Sequence, residues 1–268
     1  MLKNLIKWAC ERIDYLDAVV IMAFVLNRGK TSILTAKDSE TLTSEQAARY
    51  MLYVGQRALH KPLAYILGGC EFMGLYFEVN EYTLIPRPDT EIVVETALNI
   101  IKQTGKNKIL EVCTGSGCIA VSLSVLCPET LDITASDISP EALAIAKKNA
   151  CRHGVSIRFI QADLFEGIDP RAYDLIVANP PYIPHNEINA CPESVKNYEP
   201  HMALDGGADG LSFYRSIIEK SVNTIILEIG YNQGSDVRNI LEGHNFKDIR
   251  VINDLAGHNR VVIAQKVG

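Results

Sequence analysis

The sequence has no run of lysine or arginine, and its acidic residues outnumber its basic ones. Against 26 Lys and Arg stand 32 Asp and Glu, which gives a formal net charge of −6 and a pI of about 5.6. Extended nucleic-acid binding needs clustered cations that neutralise phosphates. We therefore expect no stable nucleic-acid binding.

Long apolar runs and metal-binding spacings are also missing. The longest apolar run, residues 18–26, is too short to span a bilayer. Charged residues at Lys3, Lys7, Glu11 and Arg12 interrupt the N-terminal apolar pattern, which excludes a signal peptide. The seven cysteines are an odd number, contain no CxxC and have no histidine at metal-ligand spacing. We expect free thiols, no metal site, no membrane contact and a cytoplasmic protein.

What is present suggests one large domain and a smaller one, because 268 residues is long for a single ordinary domain. Before about residue 80 the pattern is helical. Thr43 and Gln46 have the spacing of a capping box, followed by one predicted apolar face: Ala47, Tyr50, Met51, Val54 and Ala58. Residues 64–79 predict two short strands around glycines. The predicted domains are a helical part (1–65), a β-hairpin linker (66–85) and an α/β domain (86–268).

Strands and helices alternate in the last of these domains. Ser139 is suited to cap one helix, with Pro140 at its first position and Gly154 just past its end. Helices are predicted over 90–101 and from residue 118, and strands over 108–112, 131–136, 156–160, 173–178, 224–229 and 260–265. This alternation predicts an α/β fold with a doubly wound, mostly parallel sheet.

Four predicted strands end in residues suited to hold a ligand. A loop with Gly115 and Gly117 follows the first, and Asp137, Asp163 and Asn179 follow the next three. Ligands of open α/β sheets bind outside the carboxyl ends of the strands. The glycine loop taken alone also fits a ligand-free turn, or an NAD site in which Asp137 accepts hydrogen bonds from the ribose.

The segment NPPY, residues 179–182, ends its strand abruptly because two prolines remove two backbone donors. The proline after Asn179 also pushes that residue toward an extended conformation. Such a corner presents an amide side chain and bare carbonyls to a planar group that donates N–H bonds. A plain strand terminator is the alternative interpretation.

Together, TGSG (114–117) and NPPY resemble the class I S-adenosylmethionine-dependent methyltransferases that modify a planar nitrogen. More narrowly, the chain resembles the protein-(glutamine-N5) methyltransferases of peptide chain release factors, the HemK/PrmC family. PRPDTE (86–91), YEPHMALDGGADGL (198–211) and LEIGYNQG (227–234) carry this resemblance. It implies a Rossmann-like fold and transfer of a methyl group from S-adenosyl-L-methionine to the glutamine of the Gly-Gly-Gln motif in class I release factors. The helical part would dock this protein substrate.

The resemblance also implies the site residues. Those expected to contact the cofactor are Glu111, Cys113, Thr114, Gly115, Ser116, Gly117, Asp137, Ile138, Asp163, Leu164 and Asn179. Those expected to contact the substrate are Asn179, Pro180, Pro181, Tyr182, Arg87 and Glu199, with Asn179, Pro180 and Tyr182 as the catalytic set. Three positions depart from the usual family pattern: Glu111 replaces Asp, Cys113 replaces Gly, and Leu164 stands where many relatives carry Trp.

Several alternatives remain open from the sequence. A nucleic-acid N-methyltransferase would share the NPPY corner, since adenine N6 is also a planar amine; an NAD oxidoreductase and a non-catalytic binding module are the others. His185 is interpreted as an exposed loop histidine and not as a base. Glu199 is expected to hold segment 183–208 over the substrate, and Glu91 to favour the first turn of its helix.

Overall fold

The computed structural model describes residues 1–37 and 39–266. The chain separates into two compact units. One comprises residues 1–69 together with Pro192–Tyr198, and the other comprises residues 70–191 together with the chain from Glu199 onward. The predicted limits of 1–65, 66–85 and 86–268 stay a prediction.

Helices and strands alternate through most of the chain. In the described residues the helices are α1 (Leu2–Cys10), α2 (Tyr15–Leu26), α3 (Lys30–Leu34), α4 (Ser44–Ala58), α5 (Leu63–Leu67), α6 (Glu91–Thr104), α7 (Cys118–Leu126), α8 (Pro140–Arg152), α9 (Glu193–Lys196), α10 (Ser212–Lys220) and α11 (Gly234–Gly243). The strands are β1 (Gly69–Phe72), β2 (Leu75–Glu78), β3 (Lys108–Val112), β4 (Asp132–Asp137), β5 (Arg158–Gln161), β6 (Leu175–Ala178), β7 (Thr224–Glu228), β8 (Phe246–Asn253) and β9 (Asn259–Lys266).

The first unit is a helical bundle built on α2 and α4. The Tyr50 hydroxyl is buried and donates to the Ala18 carbonyl at 3.2 Å, which satisfies its polar end inside an apolar core. The predicted capping box is confirmed, because Thr43 Oγ1 and Gln46 Oε1 each accept the other residue's backbone N–H. Met51, expected on the buried face of α4, is instead 42% exposed.

The second unit is organised by a seven-stranded sheet in the order β5-β4-β3-β6-β7-β9-β8. The first five of these strands pair in parallel, and β9 runs antiparallel to both β7 and β8. The predicted mostly parallel sheet is therefore confirmed, and β3 has the predicted limits. The edge strand β8 was not predicted. Its burial hardly alternates, so its sequence carries a weak period-two signal.

The predicted hairpin of two short strands is present, but the first residues of the predicted segment 64–79 belong to a helix. Strands β1 and β2 form a two-stranded sheet, but residues 63–67 fold as the short helix α5. Pro62 precedes this helix, and Gly68 ends it with a φ of +79°. A five-residue apolar run fits a helix as well as a strand, so periodicity cannot separate the two.

One buried polar side chain, that of Asn149 in α8, connects the hairpin of β1 and β2 to the rest of the second unit. Asn149 in α8 donates through Nδ2 to the carbonyl of Glu78 at 3.0 Å and to that of Ser116 at 2.9 Å. Its Oδ1 accepts the Glu78 N–H at 2.8 Å. One side chain thus joins β2, α8 and the glycine loop.

The predicted cap of α8 is confirmed, since Ser139 Oγ accepts from the Ala142 N–H at 3.0 Å.

The described helices contain no apolar stretch of the length needed to cross a bilayer. The seven cysteines all lie in the described part of the chain and form no disulfide there, as expected from their spacing.

Candidate active site

The parallel register brings the predicted ligand-binding strand ends to one edge of the sheet. Val112 at the end of β3 pairs with Ser136 in β4 and with Ala178 at the end of β6. The chain runs outward from β3 to β4 and β5, then returns on the other side of β3 to form β6. Such a reversal of strand order opens a crevice at the carboxyl edge, which is the usual ligand site of this architecture.

A cavity of about 270 Å³ lies at this edge. Ten of the eleven residues predicted to contact the cofactor line it: Glu111, Cys113, Thr114, Gly115, Ser116, Asp137, Ile138, Asp163, Leu164 and Asn179. Of the residues predicted for the substrate, Arg87, Asn179 and Pro181 line it. Gly117, Pro180, Tyr182 and Glu199 stand outside the lining.

Other residues of the cavity wall were not predicted. They include Tyr82 and Thr90 around the PRPDTE motif, Met202 after the YEP motif, and Phe213 at the start of α10. The motifs themselves were the available signal for the first three, because residues beside a family motif share its location. Phe213 had no signal in the sequence.

The glycine loop depends on left-handed backbone conformations. Gly115 and Gly117 have φ values of +54° and +77°, a region that side chains with a Cβ rarely adopt. A Cβ at Gly117 would lie 3.0 Å from the Cβ of Ala146 in α8, whereas a Cβ at Gly115 would meet nothing within 4 Å. Gly117 therefore allows α7 and α8 to pack closely, and Gly115 leaves open space in the cavity.

Two of the departures from the family pattern also have left-handed backbones. Cys113 has a φ of +61° and Leu164 a φ of +50°. The conformation explains why glycine is usual at the first position, since a Cβ there costs roughly 1 kcal/mol. Burial raises the pKa of the Cys113 and Cys118 thiols, and nearby carboxylates add to the effect. These thiols stay protonated at neutral pH, which disfavours oxidation.

Glu111 is a buried carboxyl that ties the glycine loop to α7. Its Oε2 accepts the Thr114 hydroxyl at 2.7 Å and the Ala120 N–H at 3.1 Å. Burial raises the pKa of Glu111 to about 8, against the opposing effect of these two hydrogen bonds. Replacement of the family's Asp by Glu is therefore accommodated by contacts with the loop and the first turn of α7.

Asp137 joins the loop after β3 to the turn after β4. Its Oδ2 accepts the Gly115 N–H at 2.8 Å, and its Oδ1 accepts the Ser139 N–H at 3.0 Å. Burial raises the pKa of Asp137, while these N–H donors favour its ionised form. Each carboxylate oxygen keeps a further lone pair for a hydroxyl group in the cavity.

The NPPY corner is held from several sides. Asn179 Nδ2 donates to the Thr90 hydroxyl oxygen at 3.3 Å. The Tyr182 carbonyl accepts from Gln233 Nε2 at 2.9 Å, and burial raises the pKa of the Tyr182 hydroxyl to about 12. A Cβ at Gly206 would lie 2.8 Å from the Tyr182 Cα, so a glycine there allows two backbone segments to touch.

Segment 183–208 contains short helices. It includes 3₁₀ turns at His185–Ala190 and His201–Ala203. The buried Glu199 carboxylate pairs with Arg87 and accepts the Ile85 N–H at 3.2 Å, which holds this part of the segment beside the cavity. Glu199 thus holds this wall in place without lining it.

Two further residues have partners of their own. His185 is exposed, and its Nδ1 lies 2.7 Å from Asp205 Oδ2, outside the cavity lining. Glu91 Oε1 accepts the Met73 N–H at 2.6 Å, so it ties α6 to the hairpin in addition to standing in the first turn of α6.

Two family descriptions match the chain: Methyltransferase small domain over residues 90–201, and PrmC N-terminal domain over residues 7–68. A Clostridium botulinum protein named release factor glutamine methyltransferase is 40% identical over 261 residues, covering 94% of this chain and 92% of its own. A Thermodesulfovibrio yellowstonii protein of the same name is 40% identical over 93% of this chain and 92% of its own. This chain belongs to the release factor glutamine methyltransferase family.

Two solved structures share the fold of this chain. The hMettl16 catalytic domain, solved with the MAT2A 3′UTR hairpin 6, has a TM-score of 0.61 and 16% identity, covering 88% of this chain and 86% of its own. A Pyrococcus furiosus methyltransferase has a TM-score of 0.52 and 14% identity, covering 84% of this chain and 100% of its own. The predicted family, fold class and enzyme class are confirmed; at these identities the solved structures bear on the fold alone.

The two loop glycines make a matched pair for a stability measurement. We expect Gly117→Ala to lower the free energy of unfolding by about 2–4 kcal/mol, because it adds the contact with Ala146 to the left-handed backbone cost. Gly115→Ala has only the backbone cost, about 1–2 kcal/mol. Urea denaturation of both variants measures the difference; equal losses would contradict the close packing of α7 on α8.

The buried carboxyls predict a pH-dependent stability. Glu111 keeps its proton in the folded chain to about pH 8, and Glu228 to about pH 7, whereas an unfolded Glu ionises near pH ~4.3. The folded state therefore binds more protons in this window, and the free energy of unfolding falls as the pH rises from about 4.5 to about 8. Each group contributes a slope of up to about 1.4 kcal/mol per pH unit.

Urea denaturation at intervals from pH 5 to pH 8 measures this slope. Glu111→Gln, which has no proton to lose, is expected to flatten it. A slope unchanged by this substitution would show that Glu111 ionises alike in both states.

Proposed function

We propose that this chain transfers the methyl group of S-adenosyl-L-methionine to N5 of the glutamine in the Gly-Gly-Gln motif of class I peptide chain release factors. The product of the cofactor is S-adenosyl-L-homocysteine, and the methylated factor supports translation termination in the cytoplasm. The observation that carries this proposal is the 40% identity, over 94% of the chain, with a protein named for this activity.

The residues of the cavity fit the proposed cofactor. The open space above Gly115 would accept a group close to the backbone, and the Asp137 carboxylate has lone pairs for the two ribose hydroxyls. Ile138 is 49% exposed, and such an apolar side chain beside Leu164 suits the face of an adenine. Glu111, Cys113, Thr114, Ser116, Asp163 and Asn179 would complete the contacts, and Gly117, which stands outside the lining, would act through the backbone of the loop. When bound, the cofactor supplies an electrophilic methyl group on a positively charged sulfur.

The substrate amide must be oriented because its nitrogen lone pair is delocalised into the carbonyl. The amide nitrogen of Asn179 already donates to Thr90, which leaves Asn179 Oδ1 as an acceptor for one substrate N–H. We assign the second N–H to the Pro180 carbonyl. Orientation of this kind lowers a barrier by up to about 7–11 kcal/mol in favourable systems. Two acceptors that strengthen as the nitrogen becomes positive add electrostatic stabilisation.

The remaining substrate contacts are assigned to Pro181, Arg87 and Tyr182. Pro181 and Arg87 line the cavity, and Tyr182 would pack beside the amide plane after local adjustment, since it stands outside the present lining. No strong base is required, because an alkylated amide nitrogen is acidic enough to lose its proton to water. Glu199 supports Arg87 through their ion pair.

The helical unit is proposed to dock the release factor, and the acidic charge of −6 favours a protein over a nucleic acid as the stable partner.

The NPPY corner would also suit adenine N6. Incubation with methyl-labelled cofactor and purified release factors, DNA or ribosomal RNA separates these possibilities. We expect label on a release factor and none after its motif glutamine is replaced by Glu. Label on nucleic acid alone would overturn the proposal.

Substitution of Asn179 tests the acceptor role. We expect Asn179→Ala to lower kcat about 100- to 1,000-fold, the usual effect of removing one polar group that stabilises a transition state. Calorimetric titration should show cofactor affinity changed less than about 10-fold, since other contacts remain. Asn186→Ala, in the exposed turn that follows, is the matched control and should retain activity. Equal activities of the two variants would contradict the role of Asn179.

A further inference from the structure

A buried hydrogen-bond chain leads away from Asn179. Asn179 Nδ2 donates to Thr90 Oγ1 at 3.3 Å. The Glu228 carboxyl stands near enough to the Thr90 hydroxyl for that hydroxyl to lower the pKa of Glu228. Thr90 is 2% exposed and Glu228 is 1% exposed. Ala178 pairs with Leu227 in the parallel register, so Asn179 and Glu228 follow at the same level on adjacent strands. Three residues distant in sequence thus meet beside the cavity.

The polarity of this chain fixes the orientation of the Asn179 amide. A threonine hydroxyl has one proton, and above about pH 7 the Glu228 carboxyl is ionised and can only accept. The Thr90 proton therefore goes to Glu228, and the Thr90 oxygen accepts from the Asn179 NH₂ group. If the amide were flipped, its oxygen would face the Thr90 oxygen with no proton between them. This hydrogen-bond chain consequently directs Asn179 Oδ1 away from Thr90, because the oxygen stands at the opposite end of the planar amide.

Neither Thr90 nor Glu228 is explained by the stability of the fold. Thr90 stands at the N-cap of α6, yet its side chain makes no capping hydrogen bond there. Glu228 ends the apolar strand β7, and its Oε2 is buried with no hydrogen-bond partner among the described residues. A buried polar atom left in this way costs about 1–3 kcal/mol. Leu or Val at these positions would pack without that penalty.

We propose that Thr90 and Glu228 are positioning residues, which hold the Asn179 side-chain amide with its oxygen directed to the substrate nitrogen. This inference rests on the proposed function, because it assigns the acceptor of that reaction. Glu228 accepts from Thr90, Thr90 accepts from Asn179, and neither touches the substrate. Arg260 stands near the same carboxyl, with its Nη2 3.1 Å from Asp89 and 3.2 Å from Asp254.

Thr90→Val removes the hydroxyl and keeps the shape of the side chain, while Thr90→Ser keeps the hydroxyl. We expect Thr90→Val to lower kcat about 10- to 100-fold, since a misoriented group costs up to about 100-fold. Cofactor affinity should change little, and Thr90→Ser should stay within about 3-fold of the wild type. Equal losses of kcat in the Thr90→Val and Thr90→Ser variants, or no loss of kcat in Thr90→Val, would overturn the proposal.

A double-mutant cycle separates positioning from a general structural effect. In the Asn179→Ala background, Thr90→Val should cause no further loss of kcat, because Thr90 acts only through the missing amide. A further loss as large as in the wild type would show that Thr90 acts by another route and would overturn the proposal.

Glu228→Gln and Glu228→Leu form a second matched pair. Gln retains an oxygen that accepts from Thr90, whereas Leu does not. We expect Leu to lower kcat at least about 10-fold more than Gln, the misorientation cost again. Equal activities of these two variants would remove Glu228 from the assignment.

The Asn179 side-chain NH₂ resonances provide a readout that needs no substrate. They are assigned by their loss in Asn179→Ala, and in the wild type hydrogen exchange should be slow. Thr90→Val should shift these signals and speed their exchange; unchanged signals would overturn the proposal. If the signals respond but no release factor is methylated, the hydrogen-bond chain stands and the proposed function fails.

Discussion

The parallel pairing of β3 with β4 on one side and β6 on the other is the constraint on which the site depends. Since parallel strands end at the same edge, this pairing sets the glycine loop, Asp137 and Asn179 around one crevice. No single loop could assemble these groups. The right position for each follows from backbone hydrogen bonds formed deep in the sheet.

Two buried carboxyl groups, those of Glu111 and Glu199, and the half-buried carboxylate of Asp137 hold the backbone around this edge in place. Glu111 binds the loop to α7, Asp137 binds the loop to the turn after β4, and Glu199 binds the cavity wall to the segment before α6. Burial of a carboxyl is unfavourable unless it accepts hydrogen bonds. Each of the three therefore favours a single arrangement of the backbone that surrounds it, and the raised pKa of Glu111 records the cost of its burial.

Departures from the family pattern have a common structural setting. Cys113 and Leu164 both line the cavity and both have left-handed backbones, where a side chain with a Cβ is strained by roughly 1 kcal/mol. Strain of this kind persists where surrounding contacts determine the conformation. Beside Cys113, the Thr114 N–H donates to the Ser136 carbonyl at 3.0 Å and fixes the backbone there.

Local periodicity and turn residues were enough to predict the alternation of strands and helices, the limits of β3, the cap at Ser139 and the four strand ends of the cavity. The motif resemblance similarly identified the family. Local signals could not predict the helix at 63–67, the edge strand β8, the exposure of Met51 or the presence of Phe213 in the cavity. Nor could they predict that the Thr90 hydroxyl meets Asn179. Each of these features depends on which residues distant in sequence pack together. A short apolar run or a single hydroxyl does not specify those residues.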